Sequence, residues 1–245
     1  MTYNGFYLVG NYPDPQTFLQ AAIEGLRYFD FIEIGLPFSD PVADGPVLAS
    51  ASHKALEAGV TTESVLQSCS ALHEYCIKHN RSKNIYIMTY ANKVFYNDID
   101  TTFEKFALHG IKGIILADVP YIESQRFAKR AKAHHLDYIH FITPESTPEQ
   151  IKNICSQATG FLYTVSLRGT TGSTLVITDE MQHILSTAKH FAKVPVVLGF
   201  GIQGKEDIIQ ALHYADGFIM GTALVKKLEE GLDAYKDFLK EIFWR

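Results

Sequence analysis

The sequence predicts a (β/α)8 barrel of the TIM type, a single domain over 1–245, and three observations carry that reading. Eight apolar runs of strand length recur along the chain, at 6–9, 31–35, 85–89, 113–117, 138–142, 161–165, 195–199 and 217–220. Most are continuous stretches of Ile, Val, Phe and Tyr, as expected of parallel strands covered by helices. Stretches of helix length separate them, and no linker, low-complexity tract or charge block breaks the order. Eight such units in 245 residues fit the barrel. A doubly wound open sheet would usually have fewer strands and a glycine-rich first turn, and the turn here reads Gly10-Asn11-Tyr12-Pro13.

Helix ends can be read in several places. Residues 16–28 put Phe18, Leu19, Ala22, Ile23 and Leu26 on one stripe. The segment after the second strand has room for two helices, 46–58 and 62–79, broken at Ala58-Gly59. Thr147-Pro148-Glu149-Gln150 offers an N-cap, a first-turn proline and a capping glutamine. Residues 122–135, 179–191 and 204–214 are amphipathic, and 232–243 closes the chain as a last helix.

Composition narrows the function classes. A net charge of −5 with no basic run makes nucleic acid a poor partner. No apolar run approaches the roughly 20 residues of a membrane span. The N-terminus reaches its first strand with no basic segment or cleavage site, so no secretory signal is expected and a cytoplasmic location is. Three cysteines, Cys69, Cys76 and Cys155, are too few and scattered for a disulfide framework or zinc site and read as buried thiols. Among ten histidines, His134, His135 and His140 are spaced for surface positions without acids at ligand spacing, so no metal is expected.

Candidate chemistry gathers at strand ends, where such barrels place it. Glu33 interrupts an apolar strand between Ile32 and Ile34, on the face it shares with Phe31 and Gly35. A carboxylate there is costly unless something uses or satisfies it. Asp44 is either the N-cap of the next helix or a site residue; Asp40, before Pro41, shapes the loop. Asp118 ends the fourth strand, and Tyr90 and Tyr163 lie at or just past strand ends. Phosphate commonly binds after strands seven and eight, here Gly199-Phe200-Gly201 and Gly221-Thr222, each leading into a helix. A third glycine-rich turn, 166–172, follows strand six. The chain has no Gly-x-Ser-x-Gly elbow and no glycine-rich dinucleotide turn, which removes hydrolase and nicotinamide readings.

The run Ile-Glu-Ile-Gly-Leu-Pro-Phe-Ser-Asp-Pro-Val-Ala-Asp-Gly-Pro at 32–46 resembles the signature of the tryptophan synthase alpha chain family. The resemblance extends through Tyr90-Ala91-Asn92, Ala117-Asp118-Val119-Pro120, the Gly-x-Thr-Gly at 169–172, Gly-Phe-Gly-Ile at 199–202 and Gly-Thr-Ala-Leu-Val-Lys at 221–226. It implies retro-aldol cleavage of indole-3-glycerol phosphate to indole and glyceraldehyde 3-phosphate. The indole would pass to a β chain in an α2β2 assembly, and pyridoxal phosphate would belong to that partner, with no cofactor in this chain. By the same resemblance Glu33 is the acid/base and Asp44 holds the indole N–H. Tyr163 stands beside the acid, and Phe6, Leu48, Met88, Tyr90 and Phe200 surround the ring. Thr171 organises the lid, Gly172, Gly201, Gly221 and Thr222 cradle the phosphate, and the loops 37–45 and 92–96 meet the partner.

The sequence also departs from that pattern. It begins almost at strand one, without the short helix that usually precedes it; its first turn differs; and the strand-six loop carries Thr170 and reads as short. These departures motivate a second expectation, a weakly catalytic chain that mainly activates its β partner. A third, another phosphate-binding barrel such as an isomerase of aminoaldose phosphates, needs acids or cysteine at strands one and five, where Asn11 and Thr143 stand.

Overall fold

The computed structural model of the protein describes residues 2–96, 98–165, 175–199 and 201–243. Nine strand segments run in chain order: β1 (Gly5–Val9), β2 (Phe31–Gly35), β3 (Asn84–Thr89), β4 (Gly113–Leu116), β5 (Asp137–Tyr138), β6 (His140–Ile142), β7 (Leu162–Val165), β8 (Val196–Gly199) and β9 (Gly217–Met220). All pairings are parallel, in the order β5-β4-β3-β2-β1-β9-β8-β7-β6. The end segments β5 and β6 are successive halves of the fifth expected strand, parted at Ile139, so the row curls back on itself as the (β/α)8 barrel the sequence predicts.

The helices begin where local chemistry starts them. Asp14 caps α1 (Pro15–Gly25) by accepting from the Gln16 and Thr17 amides, with Pro15 in the first turn. Thr147 and Gln150 close the expected capping box on α7 (Pro148–Gln157). Helices α2 (Pro46–Glu57), α3 (Thr62–Lys78), α6 (Tyr121–Ala133), α8 (Asp179–Phe191), α9 (Lys205–Tyr214), α10 (Thr222–Glu230) and α11 (Leu232–Phe243) complete the outer ring. Two more, α4 (Ala91–Phe95) and α5 (Ile99–Leu108), fall where the sequence raised no helix. The first is barely a turn long, and the second dilutes its buried stripe with Thr102 beside Phe103 and Phe106.

Inward-facing side chains fill the barrel in layers. At the N-terminal end, Tyr3, Phe31, Tyr86 and Phe161 form an aromatic floor, with ring centroids 4.7 Å apart for Tyr3–Phe31 and 4.9 Å for Phe31–Phe161. The Tyr3 hydroxyl lies 3.1 Å from that of Tyr86 and accepts from the Asn84 amide at 2.8 Å, so the polar ends of the plug are satisfied. One step up the same strands, Glu33 and Tyr163 take the inward positions above Phe31 and Phe161.

Candidate active site

Register fixes which side chains meet at the C-terminal mouth. β1 and β2 pair with Tyr7 opposite Glu33, and paired residues share a face, so Tyr7 and Glu33 both point inward. Phe6, expected beside the site, therefore points the other way. It packs on Phe29 at 5.0 Å and against Gly25 of α1, in the layer between strands and helices. Tyr7 occupies the wall position instead.

Glu33 is fully buried, and neither carboxyl oxygen closes a hydrogen bond of good geometry with the described residues. Burial, first, and then the charge of Asp44 push its pKa up to about 8, while the approaching Tyr163 hydroxyl draws it partly back. At neutral pH it is a protonated acid. Two tyrosines flank it, and each lies over a glycine: a Cβ on Gly35 would collide with the Tyr7 hydroxyl, and one on Gly199 with the Tyr163 ring. Burial raises the pKa of both phenols well above the ordinary value, so both remain donors.

Asp44 does not cap α2; the N-cap is Gly45, with no side-chain cap bond. The Tyr90 hydroxyl donates to Asp44 Oδ2 at 3.3 Å and accepts from the Ala43 amide at 3.2 Å, which fixes the acid's loop. Asp44 Oδ1 is buried without a partner among the described residues. Burial lifts Asp44 to about 6, partly offset by the Tyr90 bond. The two acids therefore differ in proton affinity, which lets one hold a proton while the other is charged.

Glu33, Asp44, Tyr7, Leu48, Met88 and Tyr163 share one pocket with Gly201, Gly221 and Thr222. Gly201 has φ +81°, and α10 opens at Thr222, so its first amides lie at the pocket's edge. The free space between these side chains is about 30 Å³, and it opens toward the mouth. Thr171, Gly172 and Phe200 lie outside the described residues. Tyr90 lies behind Asp44, stacked on Phe38 at 4.8 Å. Asp118 accepts from the Ala91 amide at 2.9 Å and faces a separate, larger cavity. His140, expected at the surface, is 2% exposed on the outward side of β6. The sequence missed Tyr7 as a site residue: in Phe-Tyr-Leu-Val every position is apolar enough for either face, so parity carries no signal.

The chain is matched over residues 6–243 by the family model described as tryptophan synthase alpha chain. It is 40% identical over 215 residues to the tryptophan synthase alpha chain of Caldicellulosiruptor bescii, a match spanning 88% of this chain and 81% of that one. It is 35% identical to that of Picosynechococcus, over 96% and 90% of the two chains. Among solved structures, a chain of the tryptophan synthase a2b2 complex of Pyrococcus furiosus, a study of that complex's mutual activation, superposes with TM-score 0.87 at 29% identity, over 99% of each chain. A chain of Mycobacterium tuberculosis tryptophan synthase gives 0.86 at 30% identity, over 98% and 91%.

Proposed function

This chain belongs to the tryptophan synthase alpha chain family, and from that premise we propose that it cleaves indole-3-glycerol phosphate to indole and glyceraldehyde 3-phosphate, with Glu33 as general acid and base. The observation that carries the reading is a fully buried acid with a raised pKa, walled in beside Tyr163 and a second acid of lower pKa. Glu33 gives its proton to C3 of the indole ring. The positive charge this creates on the ring nitrogen is stabilised by Asp44, whose carboxylate accepts from the indole N–H. Glu33, now ionised, takes the proton from the hydroxyl on the carbon attached to C3. The bond between that carbon and C3 breaks, its electron pair restores the aromatic ring, and the oxygen becomes the aldehyde carbonyl. Glu33 ends protonated again, so the step calls on no cofactor in this chain.

The other side chains position the reactants. Tyr163 orients Glu33, Leu48 and Met88 flank the ring, and Tyr7 replaces Phe6 as its wall. Tyr90 holds Asp44, and Gly201, Gly221 and Thr222 offer backbone amides and a hydroxyl to the phosphate. Thr171, Gly172 and Phe200 complete the set by family resemblance. We assign a β chain carrying pyridoxal phosphate as the partner, in an α2β2 assembly. Val42 and Tyr96, 74% and 87% exposed on the two loops at the mouth, supply an apolar contact surface.

A second reading has an observation of its own. The free space among the described side chains of the pocket is about 30 Å³, so as they stand they leave little room beside Glu33 for the substrate. A chain that stays closed would cleave little and serve mainly to activate its β partner. A cleavage assay with and without the β chain separates the two. Indole release abolished by Glu33→Gln supports the lyase, and wild-type release from that variant rejects Glu33 as the acid/base. Negligible release with strong stimulation of indole-plus-serine turnover supports the activator.

A further inference from the structure

Beside the catalytic pocket, and sharing Met88 with it as a wall, lies a cavity of about 550 Å³ that runs from the barrel mouth down between α6 and α7. Ala43, Ala117, Phe141 and Val165 line its upper part, and Tyr121, Ser124, Tyr138, His140 and Ile154 its lower part. Most of that wall is carbon, and two tyrosine rings stand edge-on to the His140 imidazole, at 4.9 Å for Tyr138 and 5.8 Å for Tyr121. A space of this size and character suits a flat aromatic molecule.

The polar groups of the lining include Asp118, Thr143, Glu145 and Gln150 besides His140, and of these His140 is the one that is deeply buried with an unpartnered ring nitrogen among the described residues. The imidazole is 2% exposed, and burial drops its pKa to about 4, so the ring is neutral. Ser124 settles its tautomer. Its hydroxyl donates to the Tyr121 carbonyl at 2.6 Å, which leaves the Ser124 oxygen as an acceptor facing His140 Nδ1 at 3.5 Å. The proton therefore sits on Nδ1, and Nε2 is a bare acceptor. No described residue bonds to that Nε2. A buried acceptor without a donor is uncommon and costs stability, which a ligand donor would restore.

We propose that this cavity is a second ligand site, taking a neutral planar aromatic molecule with a single N–H or O–H donor, which His140 Nε2 accepts. Indole has that chemistry, and its place here rests on the lyase reading: the site would hold product one wall away from where it forms. The recognition chemistry itself does not depend on turnover. Glu33 and Asp44 line the catalytic pocket and not this cavity, whose deeply buried acceptor is the His140 imidazole, with Asp118 and Glu145 also on its lining.

Full-length protein labelled with ¹⁵N-histidine tests this directly. Indole is titrated in, and benzofuran, which has the same shape with oxygen in place of N–H, serves as the control. The expected result is a saturable shift of the His140 Nε2 signal with indole and none with benzofuran, with indole bound about tenfold tighter. His140→Phe is expected to erase the preference, and His140→Gln, which keeps an acceptor, to restore part of it. The preference should survive in Asp44→Ala, which removes the acceptor assigned to the indole N–H in the catalytic pocket; its loss there would place the ligand in that pocket and overturn the proposal. Equal responses to both molecules, or a silent His140, would overturn it as well. A responsive His140 in a protein that releases no indole from substrate would leave this site standing and reject the lyase reading.

Discussion

Phe31 and Phe161 precede Glu33 and Tyr163 by two residues on β2 and at the foot of β7, so each pair faces the same interior from the same strands. The surroundings are opposite. The phenylalanines stack at 4.9 Å in a floor whose polar atoms are paired, whereas Glu33 is fully buried with no well-formed hydrogen bond to the described residues and its pKa lifted to about 8. One turn of strand pleat separates a layer built for packing from a layer built for proton transfer. The floor contributes burial that offsets the unpaired acid above it, a division between stability and function common to barrels with sites at the C-terminal face.

The largest test of that division is Phe161→Ala. Removing a ring from the centre of the floor should cost about 3–5 kcal/mol, read as a lower urea midpoint at unchanged slope. The pH profile of any remaining cleavage should hold its shape, because the acids keep their neighbours. A profile that moved with the floor would show that the two layers are not independent.

Glu33→Gln examines the other side of the contrast. A buried carboxyl whose pKa rises on folding favours the folded state while protonated and disfavours it once ionised. The contribution is present below the unfolded value of about 4.5 and is lost as pH climbs from there to about 8. The slope is about 1.4 kcal/mol per pH unit over that window. Wild-type protein should therefore lose stability from about pH 5 to about pH 8 relative to Glu33→Gln. Parallel stability curves for the two proteins would mean that Glu33 is ionised in the folded state.

Much of this is legible in the sequence, and the limits are physical. Burial on both faces concentrates Ile, Val and Phe in strands, so all eight strands could be located, and Glu33 stood out because nothing else in its run is polar. The same two-sided burial hid which face was which, and so Phe6 was expected at the site where Tyr7 stands. His140 read as a surface residue because a lone polar residue in a short strand looks the same whether it meets water or a cavity. Only the packing of α6 and α7 over β6 distinguishes them, and that packing is a property of residues far apart in sequence. Asp44 reads equally as a helix cap or a site residue in the sequence, and the structure removes the cap, because Gly45 holds that position.

The smallest effect is the most discriminating about Asp44. Its Oδ2 accepts from Tyr90 across 3.3 Å, a bond that draws its pKa down against the larger effect of burial. Tyr90→Phe removes that bond and the one to the Ala43 amide while keeping the ring against Phe38. Stability should fall by about 1 kcal/mol. The acidic limb of kcat/KM, set near 6 if ionised Asp44 is required, should move up in pH, because the group that favours the ionised form is gone. The alkaline limb, set near 8 by loss of the Glu33 proton, should stay. Movement of both limbs together would make the tyrosine a scaffold for the whole mouth. Movement of neither would remove Asp44 from the chemistry and return it to the loop.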